Sequence, residues 1–184
     1  MKKLVLVLGM IVLTLSANAQ FKEYDKSVAL YKAKEFVMKE IIGVEEKKQV
    51  KFDIDPLAAA TSGELTSLTY SCDEKNLKGF VLGFYGNYWN EAGVLYKGYA
   101  FKNFSEDTAR YILLKLATLI KSEKSYLTKN NENNIYFQYE DIIYLIYNNV
   151  ISGPTIRVFW GGFDSEWEFT AFNRTRKRFE KNMK

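Results

Sequence analysis

The segment best suited to ligand binding combines aromatic rings with amide and acid side chains over eight residues, 84–91. The glycine and asparagines within it predict a hairpin turn rather than the interior of a strand. Rings at such a turn can stack on sugars or grip a peptide while polar groups form hydrogen bonds. The predicted ligand-binding residues are Tyr85, Asn87, Tyr88, Trp89, Asn90 and Glu91. The structural alternative is that Tyr88 or Trp89 folds back over the end of a sheet.

Catalytic chemistry is restricted because the 184-residue chain has no histidine and one cysteine. An imidazole general base and the Ser-His-Asp and Cys-His relays are therefore excluded. An intrachain disulfide and an all-cysteine zinc site are excluded as well. Carboxylates remain as the strong acid-base candidates, in three clusters: Asp53 with Asp55, Glu140 with Asp141, and Asp164 with Glu166 and Glu168.

Close spacing makes these clusters poor catalytic pairs, because a glycosidase needs two carboxyl groups facing each other across a cleft. Long-range pairing, such as Asp53 with Glu140, is the arrangement that would satisfy this need. We assign no catalytic residue from the sequence and keep a carboxylate-dependent hydrolase as an alternative.

Metal and cofactor motifs do not occur in the sequence. The calcium-binding loop pattern with its central glycine is absent. Gly86, Gly93 and Gly98 are not followed by the lysine of a phosphate-binding loop. The sequence predicts no metal site and no cofactor.

A cationic stripe is predicted near the C-terminus, where basic residues recur at helical spacing. Its members are Arg174, Lys177, Arg178 and Lys181. They lie opposite Phe172 and Phe179 on the predicted helix and could face an anionic lipid or an acidic partner. The alternative is a solvated face whose charges suit the helix C-terminus.

The first nineteen residues resemble a secretory signal peptide. Lys2 and Lys3 precede an apolar run, and Ala17-Asn18-Ala19 supplies the small-x-small cleavage pattern. The run is shorter than the about 20 residues that a membrane-spanning helix needs. We predict cleavage after Ala19, a mature N-terminus at Gln20, and a bacterial protein of the periplasm or exterior.

Removal of this segment leaves an almost neutral protein. It takes away two of the 26 basic residues and none of the 22 acidic ones, so the formal net charge falls from +4 to +2. Such a balance gives no electrostatic reason to expect a nucleic acid partner.

Strand-like alternation places Leu68, Tyr70 and Cys72 on one face, which predicts that the cysteine is buried.

Hydrophobic periodicity predicts three helices and about seven strands. The helices are 21–42, ending at Gly43, one beginning at Asn103 or Ser105, and 166–182, where Ser165 begins an S-x-x-E capping box. The strands are 50–55, 65–72, 77–85, 94–101, 135–139, 142–147 and 155–160, with turns at 73–76 and 86–93. The segments 135–139 and 142–147 form either two strands or one bulged strand.

Short connections favour an antiparallel sheet with about three helices packed on one face, that is, a single α+β domain over residues 20–184. Aromatic residues on both strand faces leave two arrangements open: helices cover both faces, or one face meets another molecule.

Export, aromatic excess and the missing catalytic groups together suggest a non-catalytic module. It would bind a glycan, a peptide or an envelope protein through the aromatic turn and the adjacent sheet face. An envelope-associated structural protein that uses the basic helix is a further alternative. The oligomeric state is not predicted.

Overall fold

The computed structural model describes residues 29–43 and 45–183. The predicted signal peptide, the mature N-terminus at Gln20 and the first part of the predicted helix 21–42 lie outside the described residues. The described part forms one α+β domain with an eight-stranded antiparallel sheet.

Along this part of the chain, one helix precedes four strands, two helices follow, and four more strands precede a last helix. The helices are α1 (Ala29–Phe36, continued by a π-helical turn Val37–Ile42), α2 (Glu106–Ser122), α3 (Lys124–Lys129) and α4 (Phe169–Asn182). The strands are β1 (Asp53–Ala59), β2 (Leu65–Cys72), β3 (Leu77–Trp89), β4 (Leu95–Ser105), β5 (Asn134–Tyr139), β6 (Ile142–Asn149), β7 (Gly153–Trp160) and β8 (Phe163–Glu168).

The strand order is β1-β2-β3-β8-β7-β6-β5, and β4 pairs with the other edge of β3. Strand β3 is the longest, and β2 covers only its first part, from Leu77 to Phe84. Beyond that point β8 joins β3 through the single residue pair Tyr88 and Phe163. The Trp89 amide N–H also donates to the Gly162 carbonyl at 3.0 Å. One short junction therefore links the two halves of the sheet.

The sheet curves strongly, so that the β5–β6 turn reaches back to β4. Lys102 on β4 forms an ion pair with Asp141 at 2.5 Å, and the Trp160 indole donates to the same carboxylate at 2.8 Å. Phe84 and Trp160 pack with ring centroids 5.2 Å apart. Curvature gives the sheet a concave inner face and an outer face.

The inner face holds the main hydrophobic core. Phe80, Leu82 and Phe84 of β3 pack with Tyr144 and Val158 from the other half of the sheet. Helices α2 and α4 close this core with their apolar stripes. On α2 the buried stripe consists of Ala109, Ile112, Leu113, Leu116 and Ile120, which recur with the 3.6-residue period of a helix.

A second, smaller core lies on the outer face, where α1 covers β2 and β3. Ala33, Val37 and Ile42 pack against Val81 and against the alternate residues of β2. Cys72 is a free, buried thiol in this cluster, together with Leu68 and Tyr70. The predicted burial of Cys72 is confirmed, as is the shared face of these three residues.

Several predicted boundaries are confirmed. Strand 65–72 is β2, and the two segments around Glu140 form a hairpin of separate strands. Ser105 caps α2 by accepting a hydrogen bond from the Thr108 amide at 3.2 Å. Gly43 ends the first helix in a left-handed conformation with φ of 61°.

The helix predicted over 166–182 begins too early. Residues 163–168 form β8, with Phe163, Ser165 and Trp167 buried on the inner face, and α4 begins only at Phe169. Ser165 therefore does not cap the helix. Trp167 at the end of the strand and Phe172 in the helix are both buried, and their rings pack edge to face with centroids 5.2 Å apart. Both residues therefore fit the apolar pattern of one continuous helix, although a strand and a helix contribute one each.

Three further expectations are corrected. The strand predicted over 50–55 is found at Asp53–Ala59, and Pro56 lies within it, beside an irregularity in the pairing with β2. Helices pack on both sheet faces rather than one, because α1 lies on the outer face. Gly86 to Trp89 belong to β3 and not to a turn, since they pair in register with β4.

Candidate functional site

The predicted aromatic segment lies on an arm of the sheet, where β3 and β4 continue past the last residue paired with β2 and where β8 adjoins β3 at Tyr88. Tyr85 pairs with Tyr99, Asn87 with Lys97 and Trp89 with Leu95. Asn90 closes the turn, because its side-chain oxygen accepts the Val94 amide at 2.8 Å and its own amide donates to the Val94 carbonyl at 3.0 Å. The arm therefore presents its side chains from regular strands.

Strand alternation places five exposed residues on the outer face of the arm. We call this set the outer aromatic surface: Asn87, Trp89, Leu95, Lys97 and Tyr99. The exposed fraction is 57% for Trp89, 47% for Leu95 and 45% for Tyr99. Along the strands, the apolar cross-strand pair Trp89 and Leu95 is followed by the polar pair Asn87 and Lys97. Successive pairs on one face are about 7 Å apart. This exposure marks the surface as a candidate for contact with a ligand.

The other predicted ligand-binding residues do not join this surface as a group. Tyr85 is buried, and its hydroxyl donates to the Ala29 carbonyl at 2.9 Å. Tyr88 lies on the inner face, where its ring packs 5.2 Å from that of Phe163. Asn90 maintains the turn, and Glu91 is exposed within it. Of the six predicted residues, the structure brings Asn87 and Trp89 together.

The sequence reasoning missed the contribution of β4. Leu95, Lys97 and Tyr99 lie on the same face as Trp89 because the turn is centred on residues 90–94. A hairpin centred on those residues pairs Trp89 with Leu95. The alternation of side chains over 95–101 would then have shown which residues of β4 share the face of Trp89. The expected turn at 86–93 concealed this register.

Helix α1 borders the arm with a further aromatic residue, Tyr31, which is 60% exposed. The ammonium group of Lys32 lies 5.7 Å from the Tyr31 ring and 5.8 Å from the Tyr99 ring. Glu35 bonds both Lys32 and Lys39 at 2.7 Å, and these hydrogen bonds lower the pKa of its carboxyl to about 2. The cation between the two rings is thus held in place by an ionised carboxylate.

The outer face of the β5–β8 half adjoins the arm at the junction of the sheet. Its half-buried apolar residues, Ile143, Leu145, Tyr147 and Phe159, belong to neither hydrophobic core. Paired strands place Arg157 beside Glu166, and the guanidinium bonds Asp164 at 2.6 Å. No helix in the described ranges contributes a core residue above this part of the sheet.

The candidate carboxylates occupy separate environments. Asp55 accepts the amide of Asn182 at 3.0 Å, whereas Glu140 lies 3.6 Å from the Lys102 ammonium. Strands β1 and β6, beside which these groups lie, are separated by four strands in the sheet. In β8, Glu168 accepts the Thr61 amide at 2.8 Å, and the Asp164 carboxylate bonds Arg157. The pairing of Asp53 with Glu140 is therefore not formed.

The pKa values of two carboxyl groups, Asp141 and Glu106, are lowered, whereas a general acid needs a raised pKa. Hydrogen bonds from Lys102 and Trp160 lower the pKa of Asp141. Burial works to raise the pKa of Glu106, but hydrogen bonds from Arg110 and Lys78 outweigh it and the net shift is downward. These groups are stabilised as anions, whereas a carboxylic acid that donates a proton near neutral pH has a raised pKa.

The cationic stripe lies on α4 as predicted, with Arg174, Lys177, Arg178 and Lys181 all exposed. None of the four forms an ion pair with a described carboxylate, whereas Arg176 on the same helix bonds Glu180 at 2.7 Å. The stripe is not uniform: Arg174 and Arg178 line a cleft against β1 and β2, and the two lysines do not.

Comparison of the chain with protein-family profiles, curated proteins and solved structures gives no significant match. Within residues 29–43 and 45–183, no helix combines the length and the apolar composition needed to cross a bilayer. Over the same residues, no three acidic or cysteine side chains come close enough together to hold a metal ion.

Proposed function

We propose that this chain is an exported, non-catalytic binding module whose outer aromatic surface binds a glycan. The observation that carries the proposal is the exposure of the Trp89 ring on the same strand face as Asn87, Lys97 and Tyr99. A tryptophan ring buries much apolar area at small entropic cost, and its neighbours supply hydrogen-bonding groups. Chain export rests on the predicted signal peptide.

The spacing of this surface suits a sugar chain better than a compact apolar side chain. The Trp89 and Leu95 pair is followed by the polar pair Asn87 and Lys97, and then by Tyr99. A pyranose ring likewise presents an apolar face with hydroxyl groups at its edges. Regular strands also fix these side chains before binding, which reduces the entropy lost on association.

Non-catalytic action is supported by the chemistry of the available groups. The chain has no histidine. The two carboxylates closest to the arm on β8, Asp164 and Glu166, face Arg157. Both carboxylates are thus engaged in ion pairs within the protein.

The test is a fluorescence and calorimetric titration of the mature protein with soluble peptidoglycan fragments, N-acetylglucosamine oligomers and β-glucan oligomers. We expect at least one glycan to bind and the Trp89→Ala variant to lose about tenfold or more in affinity. Trp89→Phe should retain part of the affinity because it keeps a ring.

Tyr136→Ala is the matched control, because Tyr136 is 59% exposed on β5, outside the outer aromatic surface. Equal affinity of the parent and the Trp89→Ala variant for every glycan would refute the site. Binding of extended peptides without binding of any glycan would refute the ligand class. Recovery from the cytosol of a chain that begins at Met1 would refute export.

A further inference from the structure

A cleft of about 440 Å³ lies between α1, the β1–β2 hairpin and α4. Its volume is in the range of small-molecule binding sites. Small residues from α1, β1 and the following turn leave this space open: Ala29, Ala33, Ala58, Ala59, Ala60 and Gly63. Leu30, Leu57 and Leu68 add larger apolar contacts, so most of the lining is hydrocarbon.

Among the described residues, the charged side chains that line this cleft are those of Arg174 and Arg178, and no acidic one does. One guanidinium nitrogen of Arg178 donates to the Leu57 carbonyl at 2.6 Å, which holds this side chain at the cleft. Neither arginine forms an ion pair with any carboxylate in the described part of the chain. Both guanidinium groups therefore keep N–H donors for a ligand.

The placement of these arginines on α4 itself favours an anion. Arg174 and Arg178 are four residues apart, so they are neighbours on one helix face. Like charges at this spacing destabilise a helix. An anion bonded by both groups would remove that repulsion, and planar guanidinium groups bind carboxylates in a two-point geometry.

We propose that this cleft binds a free fatty acid. Its carboxylate would lie between Arg174 and Arg178, and its alkyl chain would follow the alanine-rich wall formed by α1 and β1. The cleft is half open to solvent, and its volume of about 440 Å³ fits a single alkyl chain rather than a bilayer surface. This site shares no residue with the outer aromatic surface, so it extends beyond the proposed function and can fail independently of it.

The first test is calorimetric titration of the mature protein with hexanoate, octanoate, decanoate and dodecanoate below their micellar concentrations. Each added methylene should tighten binding by about fourfold until the cleft is full. Dodecyltrimethylammonium, which has the same chain length and a cationic head, should not bind at this site. Affinity independent of chain length, or equal affinity for the cationic amphiphile, would overturn the proposal.

The second test uses matched charge variants of α4. Arg174→Gln should weaken dodecanoate binding by about tenfold or more, because a charge-assisted hydrogen bond is lost. Lys177→Gln removes the same charge from an exposed position outside the cleft and should leave the affinity unchanged. An equal loss in both variants would overturn the proposal, because it would indicate unspecific attraction to a positive helix.

Two further measurements separate this site from membrane binding. Ala58→Leu places a larger side chain in the cleft and should reduce the affinity for dodecanoate while leaving that for hexanoate. Vesicles of phosphatidylglycerol and phosphatidylcholine provide the other measurement. The proposal would be overturned in favour of a membrane-surface role by the following result. The protein co-sediments with these vesicles, Arg174→Gln and Lys177→Gln weaken this equally, and dodecanoate does not bind.

Discussion

The outer face of the sheet is apolar in both halves, yet among the described residues a helix covers it in one half and not in the other. Over β2 and β3, Leu68, Tyr70 and Val81 are buried beneath α1. Over β6 and β7, Leu145 and Phe159 stay half-buried and belong to neither core. An apolar strand face is therefore buried only where another element of the chain has the length and the connection to reach it. An uncovered face of this kind is a candidate for contact with another molecule.

The largest expected difference between the halves comes from two leucines on the outer face. Leu68→Ala should lower the free energy of unfolding by about 2 to 5 kcal/mol, because it leaves a cavity beneath α1. Leu145→Ala should cost about 1 kcal/mol or less, since that side chain already contacts solvent. Urea unfolding of both variants measures the difference. Equal losses would show that the second face is covered as well.

The junction between the halves should be the next most sensitive point. Gly162 has φ of 83°, and an added Cβ would collide with the Trp89 carbonyl oxygen. Gly162→Ala should therefore cost about 2 to 4 kcal/mol in unfolding free energy.

Gly161→Ala is the control for this junction, because Gly161 has a similar positive φ of 57° but open space around its Cβ. It should cost only the backbone strain, about 1 to 2 kcal/mol. If the two variants were equally stable in thermal and urea unfolding, the close contact of β8 with the arm would not be needed for the fold.

The smallest expected effect contrasts two buried tyrosines. Burial raises the pKa of Tyr144, and its hydroxyl has no hydrogen-bond partner among the described residues. Tyr144→Phe should therefore raise the free energy of unfolding by about 1 kcal/mol. Tyr70→Phe should lower it by about 1 kcal/mol, because the Tyr70 hydroxyl donates to Asn103 at 3.0 Å. A stability loss in the Tyr144→Phe variant would indicate that its hydroxyl is hydrogen-bonded.

Local sequence signals predicted those parts of the fold that local physics determines. The Ser105 cap and the apolar period of α2 depend on residues within a few turns of one another. Turn residues at 73–76 and alternation in β2 likewise placed two neighbouring strands. The helix predicted from residue 166 began too early because Trp167 is a strand residue buried in the main core, which sequence spacing does not show.

The candidate site was predicted only in part for the same reason. Trp89 and Asn87 were selected for their side-chain types, which the sequence shows directly. Their position on the arm depends on β2 beginning at Leu65, opposite Phe84, so that β3 and β4 extend beyond it. Tyr85 was selected on the same grounds but is buried against α1.

The sequence by itself determined the chemical limits of this protein: it has no imidazole, one thiol, and many aromatic rings. It also determined the helices and strands whose periodicity is local. Only the tertiary structure decided which aromatic residues are exposed and where two arginines meet an alanine-walled cleft. These features arise from contacts between segments far apart in the chain, such as that of Arg178 with Leu57. The periodicity of apolar residues within one segment does not show which distant segment it will contact.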